Sequence, residues 1–257
     1  MMSSWPAPLP ATDFLPVDWP APPGVRAAFT LRGGGVSPVP WHSLNLGGHV
    51  GDDVGRVRAN RAAVRQALQL PAEPLWLNQV HGVRVADLDR ETAPLAAADA
   101  ALTRQGGRVL AILVADCLPV LFAATDGSLI AAAHAGWRGL AAGVLEATVR
   151  ATGKNAAELL AWLGPSIGPR RFEVGDEVRA AFLAADPAAS RCFRPNDRQR
   201  WLCDLPALAR ARLTALGVRS LHGVNDCTFE DAARFFSYRR DGQTGRMAAL
   251  LWRESAA

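Results

Sequence analysis

Three side chains with metal-binding chemistry come where apolar segments end or change pattern. His81 and Cys117 each close an apolar stretch, and His134 stands where an apolar stretch gives way to a helical repeat. Two imidazoles and one thiolate are donors that suit zinc. Three protein ligands leave a fourth position for water or substrate, as in catalytic zinc sites. The residue types therefore predict a metal centre in which His81, Cys117 and His134 are ligands and belong to the catalytic machinery.

The same residues allow other interpretations because they do not form a compact motif. Cys117 could be a small buried hydrophobe, and the histidines could be ordinary hydrogen-bonding groups. Cys117 could instead be a nucleophile with a histidine as its base, as in a cysteine hydrolase acting on peptidoglycan precursors. A structural metal in a non-catalytic binding module is a further alternative. The residue pattern alone does not decide among them.

The donor inventory argues against a copper polyphenol oxidase. A multicopper site needs many histidines, usually as His-x-His pairs, and its blue-copper site commonly has an axial methionine. The chain has 5 histidines and no His-x-His pair, and its methionines are Met1, Met2 and Met247. Zinc is therefore the predicted metal, and copper is disfavoured.

Apolar periodicity predicts the elements that position these residues. Strand-length runs and helical repeats are mixed without regular strand–helix–strand alternation, and Asp126-Gly127 separates two runs as a tight hairpin turn would. This pattern predicts an α+β fold, a layered α/β sandwich with mixed sheets flanked by helices in a single domain. The predicted strands are 25–31, 108–114, 118–124, 128–133, 235–239 and 246–252, and the predicted helices are 53–70, 137–148, 176–185 and 205–216.

Composition limits the function classes. Residues 1–24 are rich in proline and predict an irregular N-terminal segment, followed by one domain over 25–257. The formal net charge is +4, but no charge run or basic–aromatic stripe indicates a nucleic-acid partner. No apolar run approaches the roughly 18 residues of a membrane span. The 4 cysteines lack disulfide spacing and the N-terminus lacks a signal-peptide pattern, which predicts a cytoplasmic protein.

Short motifs spread over nearly the whole chain carry a family resemblance. They are Phe29-Thr30, 33–37, 43–47, Leu77-Asn78-Gln79-Val80-His81-Gly82, Ala115-Asp116-Cys117-Leu118-Pro119, His134-Ala135-Gly136-Trp137-Arg138-Gly139, 164–169, 172–175, 235–240 and 244–246. In this order, the motifs resemble the YfiH family, also called the laccase-domain, multicopper polyphenol oxidase or purine nucleoside phosphorylase family.

The resemblance implies a compact layered α/β catalytic domain over residues 25–257, with a zinc centre at His81, Cys117 and His134. It implies purine nucleosides and phosphate as small-molecule partners: phosphorolysis of adenosine, inosine, guanosine or methylthioadenosine, with deamination of adenosine. A link to peptidoglycan editing is also implied.

Roles for further residues follow from these expectations. Asp116 is adjacent to a ligand and is the candidate for moving protons during deamination or for supporting the metal site. Asn45, Arg61 and Arg138 lie in or near matched segments and are candidates for binding substrate and phosphate. Each of these residues could instead have a purely structural role, as a cap, a turn or a surface charge.

Overall fold

The computed structural model describes residues 14–91 and 96–255, and its elements follow the apolar patterning closely. The helices are α1 (Val54–Ala67), α2 (Trp137–Ala142), α3 (Val144–Thr152), α4 (Asp176–Leu183), α5 (Leu205–Ala215) and α6 (Tyr238–Asp241). The strands are β1 (Phe14–Pro16), β2 (Val25–Thr30), β3 (Leu75–Trp76), β4 (Val85–Asp87), β5 (Ala100–Thr103), β6 (Val109–Val114), β7 (Leu118–Ala124), β8 (Ile130–Ala135), β9 (Leu159–Leu163), β10 (Glu173–Val174), β11 (Phe193–Pro195), β12 (Trp201–Cys203), β13 (Ser220–Gly223) and β14 (Met247–Arg253).

Two mixed sheets pack face to face. One has the strand order β13-β9-β7-β8-β5-β4, the other has the order β1-β2-β14-β6-β3, and a small third sheet has the order β10-β12-β11. Alternate residues of β7 face opposite layers: Val120 and Phe122 pack with helices α3 to α5, whereas Leu121 and Ala123 pack against the second large sheet. Because β7 is covered on both faces, its sequence is a continuous apolar run.

Helix α1 covers the outer face of the second sheet. There, Ala63 and Val64 of the helix pack with Val109 and Ala111 of β6. The layers are thus helix, sheet, sheet and helices. This architecture confirms the predicted layered α/β sandwich with mixed sheets flanked by helices.

The predicted hairpin is present. Strands β7 and β8 pair antiparallel, with Pro119 opposite His134, and Gly127 takes φ 69° in the turn, a conformation that glycine adopts without steric cost. The helix predicted over 137–148 is instead two helices, because Gly143 adopts φ 99° and ends α2. The hairpin and the start of α2 together fix the position of His134.

The strand predicted over 235–239 is wrong. Phe235 and Phe236 are fully buried, but they lie in a non-repetitive segment that leads into α6. The Arg240 side chain donates hydrogen bonds to the carbonyls of Thr228, Phe229 and Phe235. These carbonyls are therefore satisfied without strand pairing.

Part of the predicted irregular N-terminal segment, residues 1–13, lies outside the described residues. Within the remainder, Phe14–Pro16 forms β1, which pairs with β2. Across the described ranges, no helix combines the length and apolarity needed to cross a membrane.

Candidate metal centre

The loop that carries His81 is held by two polar side chains. The Gln79 amide exchanges hydrogen bonds with the main chain of Leu113 at 2.9 and 2.8 Å, which ties the loop to the end of β6. The Asp99 carboxylate accepts hydrogen bonds from the backbone N–H groups of residues 80–82 at 3.1, 2.8 and 2.7 Å. These contacts hold His81 at φ 61°, a left-handed conformation that a non-glycine residue keeps only when its surroundings impose it.

Cys117 lies in the connection between β6 and β7, and the preceding residue secures it. Asp116 has φ 95°, and its carboxylate accepts hydrogen bonds from Thr228 Oγ1 at 2.6 Å and from the Arg239 backbone N–H at 2.7 Å. The Asp116 carbonyl accepts a third bond, from the Ile167 N–H at 2.9 Å. Asp116 therefore fixes the turn that presents Cys117.

His134 projects from the end of β8 and is oriented by Asp99. Its Nδ1 lies 2.8 Å from Asp99 Oδ1, and the side-chain exposures are 4% for His134 and 0% for Asp99. With Nδ1 engaged, Nε2 is the ring nitrogen available to a metal. One buried carboxylate thus orients His134 and braces the loop that carries His81.

The donor atoms of the three predicted ligands converge. One atom from each of His81, Cys117 and His134 lies within 4.8 Å of the other two, and Cys117 Sγ is 3.6 Å from His81 Nε2. Tetrahedral zinc, with bonds of about 2.3 Å to sulfur and 2.0–2.1 Å to nitrogen, separates such a pair by about 3.5 Å. The donor set and its spacing therefore fit zinc. His134 is buried, Cys117 is half-buried and His81 is exposed, so the cluster opens toward solvent on one side.

Neighbouring groups also shift the pKa values of Cys117 and His134 in the metal-free protein. Burial opposes ionisation of Cys117, but the charges and hydrogen bonds of His134 and His81 lower the pKa of the thiol to about 6. Burial likewise opposes protonation of His134, yet Cys117 and Asp99 raise the pKa of its imidazole to about 9. The pKa of Asp99 is lowered, against the effect of burial, by His134 and the loop N–H groups. Cys117 is therefore ready to form the thiolate that binds metal.

The cluster lies in the wall of a cavity of about 540 Å³, a size typical of small-molecule sites. Trp137 packs against the core beneath the cavity, and the guanidinium of Arg138 lies 4.4 Å from its ring centroid. The residues that line the cavity include an apolar group, Ile167, Phe172 and Leu205, and a polar group, His49, Asp116, Arg138, Arg239 and Arg246.

Asn45, a predicted substrate-binding residue, does not line the cavity. Its side chain is fully buried. Its Oδ1 accepts hydrogen bonds from the N–H groups of Gly47 and Arg246, both at 2.9 Å, and its Nδ2 donates to Asp52 at 2.9 Å. Asn45 therefore holds main-chain segments behind the cavity.

Arg61, also predicted to bind substrate, has a similar supporting position. Its Nε and Nη2 donate to the Leu46 carbonyl at 3.0 and 2.7 Å, and its guanidinium lies 4.0 Å from the Trp76 ring centroid. Of the predicted site residues, the structure brings together around the cavity His81, Cys117, His134, Asp116 and Arg138.

Sequence reasoning missed several residues of this region, among them Asp99, His49 and Arg246, and also Arg239 of the matched 235–240 motif. Asp99 is fully buried, and the signal in the sequence was a single carboxylate within an alanine-rich stretch. His49 stands two residues after the matched 43–47 motif, and Arg246 closes the matched 244–246 motif. Both line the cavity.

The fold and the converged donors define a mixed α/β protein with a candidate His/Cys/His metal centre. The family model described as multi-copper polyphenol oxidoreductase laccase matches residues 26–254, and the chain belongs to this family, the YfiH family.

Relatives and solved structures agree with this assignment. Escherichia coli YfiH, named a purine nucleoside phosphorylase, is 50% identical over 234 residues, covering 91% of this chain and 96% of the relative. A Pseudomonas aeruginosa protein with the same enzyme name is 52% identical over 240 residues, covering 93% and 98%. Among solved structures, a Neisseria meningitidis protein superposes with a TM-score of 0.91 at 45% identity, covering 95% of this chain and 100% of that one. YlmD of Geobacillus stearothermophilus gives 0.89 at 32% identity, with coverages of 96% and 98%.

The word copper in the family description is not matched by the donors. In the described part of the chain, His81, Cys117 and His134 are the one group of three or more His, Cys, Asp or Glu side chains with metal-binding geometry. A blue-copper site together with a three-copper cluster needs many more imidazoles than this group provides.

Proposed function

We propose that the chain is a zinc-dependent purine nucleoside phosphorylase that also deaminates adenosine. The observation that carries the proposal is the convergence of one donor atom each from His81, Cys117 and His134 within 4.8 Å, in the wall of a cavity of about 540 Å³. The enzyme name of the Escherichia coli and Pseudomonas aeruginosa relatives supports purine nucleosides as the substrate class, for which adenosine, inosine, guanosine and methylthioadenosine are the candidates.

In this proposal, His81, Cys117 and His134 hold the ion, and Asp99 holds His134 in the tautomer that leaves Nε2 to the metal. When bound, zinc supplies Lewis-acid polarisation. The apolar part of the cavity, formed by Ile167, Phe172 and Leu205, suits a flat purine ring.

Phosphorolysis replaces one bond at C1′ of the ribose. A phosphate oxygen forms a bond to C1′ as the bond from C1′ to the purine nitrogen breaks, and the electron pair leaves with the base. The proton carried by the phosphate ends on the purine nitrogen, so ribose 1-phosphate and free base form without another reactant. Arg138, at the cavity, is suited to stabilising the phosphate charge.

Deamination exchanges the C6 amino group of adenosine for the oxygen of water, releasing ammonia and inosine. The reaction needs a group that moves protons between water and the leaving amine. Asp116 is the acidic residue among the cavity-lining side chains of the described chain. Each of its carboxylate oxygens accepts one hydrogen bond, which leaves a lone pair on each for this role.

The test is a chromatographic screen of purine nucleosides with and without phosphate. We expect ribose 1-phosphate and base only when phosphate is present. Cys117→Ala and His134→Ala should abolish turnover while the protein remains folded by circular dichroism. Nucleoside cleavage at the wild-type rate by either variant, or release of free ribose independent of phosphate, would end the proposal.

A cysteine hydrolase is the second candidate, favoured by one observation. Cys117, His134 and Asp99 form a chain of thiol, imidazole and carboxylate, and the pKa of Cys117 is lowered to about 6, as in thiol nucleophiles. Metal analysis of protein purified without added metal separates the two candidates. Near-stoichiometric zinc, with activity lost to a chelator and restored by zinc, favours the phosphorylase. Activity that survives chelation but not thiol alkylation favours the hydrolase.

A further inference from the structure

Arg246 is a half-buried cation that forms no ion pair with a carboxylate of the described chain. Its Nη1 donates to the carbonyls of Thr244 and Gly245, both at 3.0 Å, and its Nε and Nη2 donate to no other group of the described chain. Arg212 and Arg240, which are similarly shielded, each pair with a carboxylate at 2.8 Å. A guanidinium stays charged in proteins, so a shielded one that lines a cavity calls for an anion.

The surroundings of Arg246 direct its side chain into the cavity. Asn45 Oδ1 accepts the Arg246 backbone N–H at 2.9 Å, and the Leu46 N–H donates to the Arg246 carbonyl at 3.0 Å. Gly47 leaves the space that the side chain uses, because a Cβ at that position would lie 2.7 Å from Arg246 Cγ. Residues 45–47 are buried and do not line the cavity, but their contacts hold in place the Arg246 side chain, which does.

His49 also lines the cavity, and the charge of Arg246 acts on it. Its pKa is lowered by partial burial and then by the positive charges of Arg246 and Arg61, so the imidazole offers a neutral N–H donor near neutral pH. The pKa of Arg246 is lowered by burial, with Cys117 and Asp116 acting in the opposite direction. Arg246 is therefore the charged group of this pair, and His49 is an uncharged hydrogen-bond donor.

We propose that Arg246 and His49 form an oxyanion subsite of the cavity, which binds the phosphate co-substrate. The guanidinium supplies a bidentate contact through Nε and Nη2, a geometry that matches phosphate oxygens. His49 contributes one hydrogen bond from the rim. The identification of the anion as a co-substrate rests on the proposed function, whereas the binding of phosphate at Arg246 does not.

Calorimetric titration of the zinc-loaded protein with inorganic phosphate tests the subsite. Loss of a charge-assisted contact predicts phosphate binding about 10- to 100-fold weaker in Arg246→Gln, with an intermediate loss in Arg246→Lys. The backbone of Arg246 keeps its hydrogen bonds to Asn45 and Leu46, so both variants should remain folded, and thermal unfolding measures what is lost with the two Nη1 hydrogen bonds. Arg108→Gln removes the same charge from an exposed arginine at the far end of β6, about 17 Å from the cavity, and should bind phosphate as the wild type does.

A glycine pair provides an independent test without removing any charge. Gly47→Ala should weaken phosphate binding, because its Cβ would displace the Arg246 side chain. Gly48→Ala is the matched control, since its Cβ meets only Arg61 Nη2 at 3.9 Å. Wild-type affinity in Arg246→Gln, or no phosphate binding by the wild-type protein, would overturn the subsite.

Kinetics then separates the subsite from the proposed function. If the enzyme is a phosphorylase, Arg246→Gln should raise KM for phosphate about 10-fold or more while KM for the nucleoside is unchanged. A rise in KM for the nucleoside alone would contradict the subsite. If the wild-type protein cleaves no nucleoside but loses phosphate binding in Arg246→Gln, the proposed function fails and the subsite stands.

Discussion

Gly136 occupies the space between two of the predicted metal ligands. A Cβ at this position would lie 2.8 Å from Cys117 Sγ and 2.8 Å from His81 Cδ2. Ordinary contacts between such atoms are about 3.5–4.0 Å, so Gly136→Ala must push each side chain by close to 1 Å. The backbone at φ −61° and ψ 157° suits alanine, so the effect is confined to the side chains.

This displacement is large compared with the tolerance of a metal site. Metal–ligand distances hold to within about 0.2 Å, and disturbing even the partners of ligands costs about 10- to 100-fold in affinity. We therefore expect Gly136→Ala to weaken zinc binding at least 10-fold. Overpacking costs about 1–3 kcal/mol, and the lower end applies because the exposed His81 side chain can swing away.

Competition with a chromogenic chelator measures the zinc affinity of Gly136→Ala, and thermal unfolding in excess chelator measures the stability of the metal-free form. Gly48→Ala is the control, because its Cβ meets nothing closer than 3.9 Å. Zinc affinity equal to wild type in Gly136→Ala would refute the reasoning, since Cys117 and His81 would then not be joint ligands.

Three further predictions follow from the same contacts. Asp99→Asn places an amide among N–H donors. We therefore expect a loss of about 1–3 kcal/mol in the free energy of unfolding and about 10- to 100-fold weaker zinc binding. Unchanged zinc affinity in the chelator competition would contradict the role of Asp99. In metal-free protein, the rate of Cys117 alkylation should rise with pH around a midpoint near the lowered pKa of about 6, because the thiolate is the reactive form. Zinc should suppress the alkylation. A midpoint near 8.5, the value of an ordinary thiol, would show that His134 does not act on the sulfur. Phe235→Ala empties a fully buried site beside Phe29, 6.2 Å away between ring centroids, and should cost about 3–5 kcal/mol in urea unfolding; a loss below about 1 kcal/mol would contradict the core position.

Local patterns predicted the strands next to Cys117 and His134, whereas His81 lies in a loop. Strands β6, β7 and β8 were predicted closely, together with the Asp126-Gly127 turn. Each of these elements is encoded by a run of only a few residues. The helix after His134 was predicted as continuous because its apolar repeat runs through Gly143, whose φ of 99° breaks it. The strand predicted over 235–239 is wrong because Phe235 and Phe236 serve tertiary packing in the core and not pairing in a sheet. A short apolar run alone does not distinguish the two.

The local sequence pattern could not predict where the side chains of Asn45, Arg61 and Asp99 point. Asn45 and Arg61 lie in or near matched segments, but their hydrogen bonds to Arg246 and Leu46 depend on segments distant along the chain. Asp99 could not be linked to His134, 35 residues away, without the pairing of β5 with β8. His81, Cys117 and His134 were predicted as ligands from their residue types together with the family resemblance, and the structure brings their donor atoms within 4.8 Å of one another.

Diffraction at the zinc absorption edge tests the central claim most directly. For protein purified without added metal, the account predicts one anomalous peak bonded to His81 Nε2, Cys117 Sγ and His134 Nε2, at about 2.0–2.1 Å from nitrogen and 2.3 Å from sulfur. Absence of a peak between these three side chains in a zinc-soaked crystal, or a peak bonded to other residues, would contradict it.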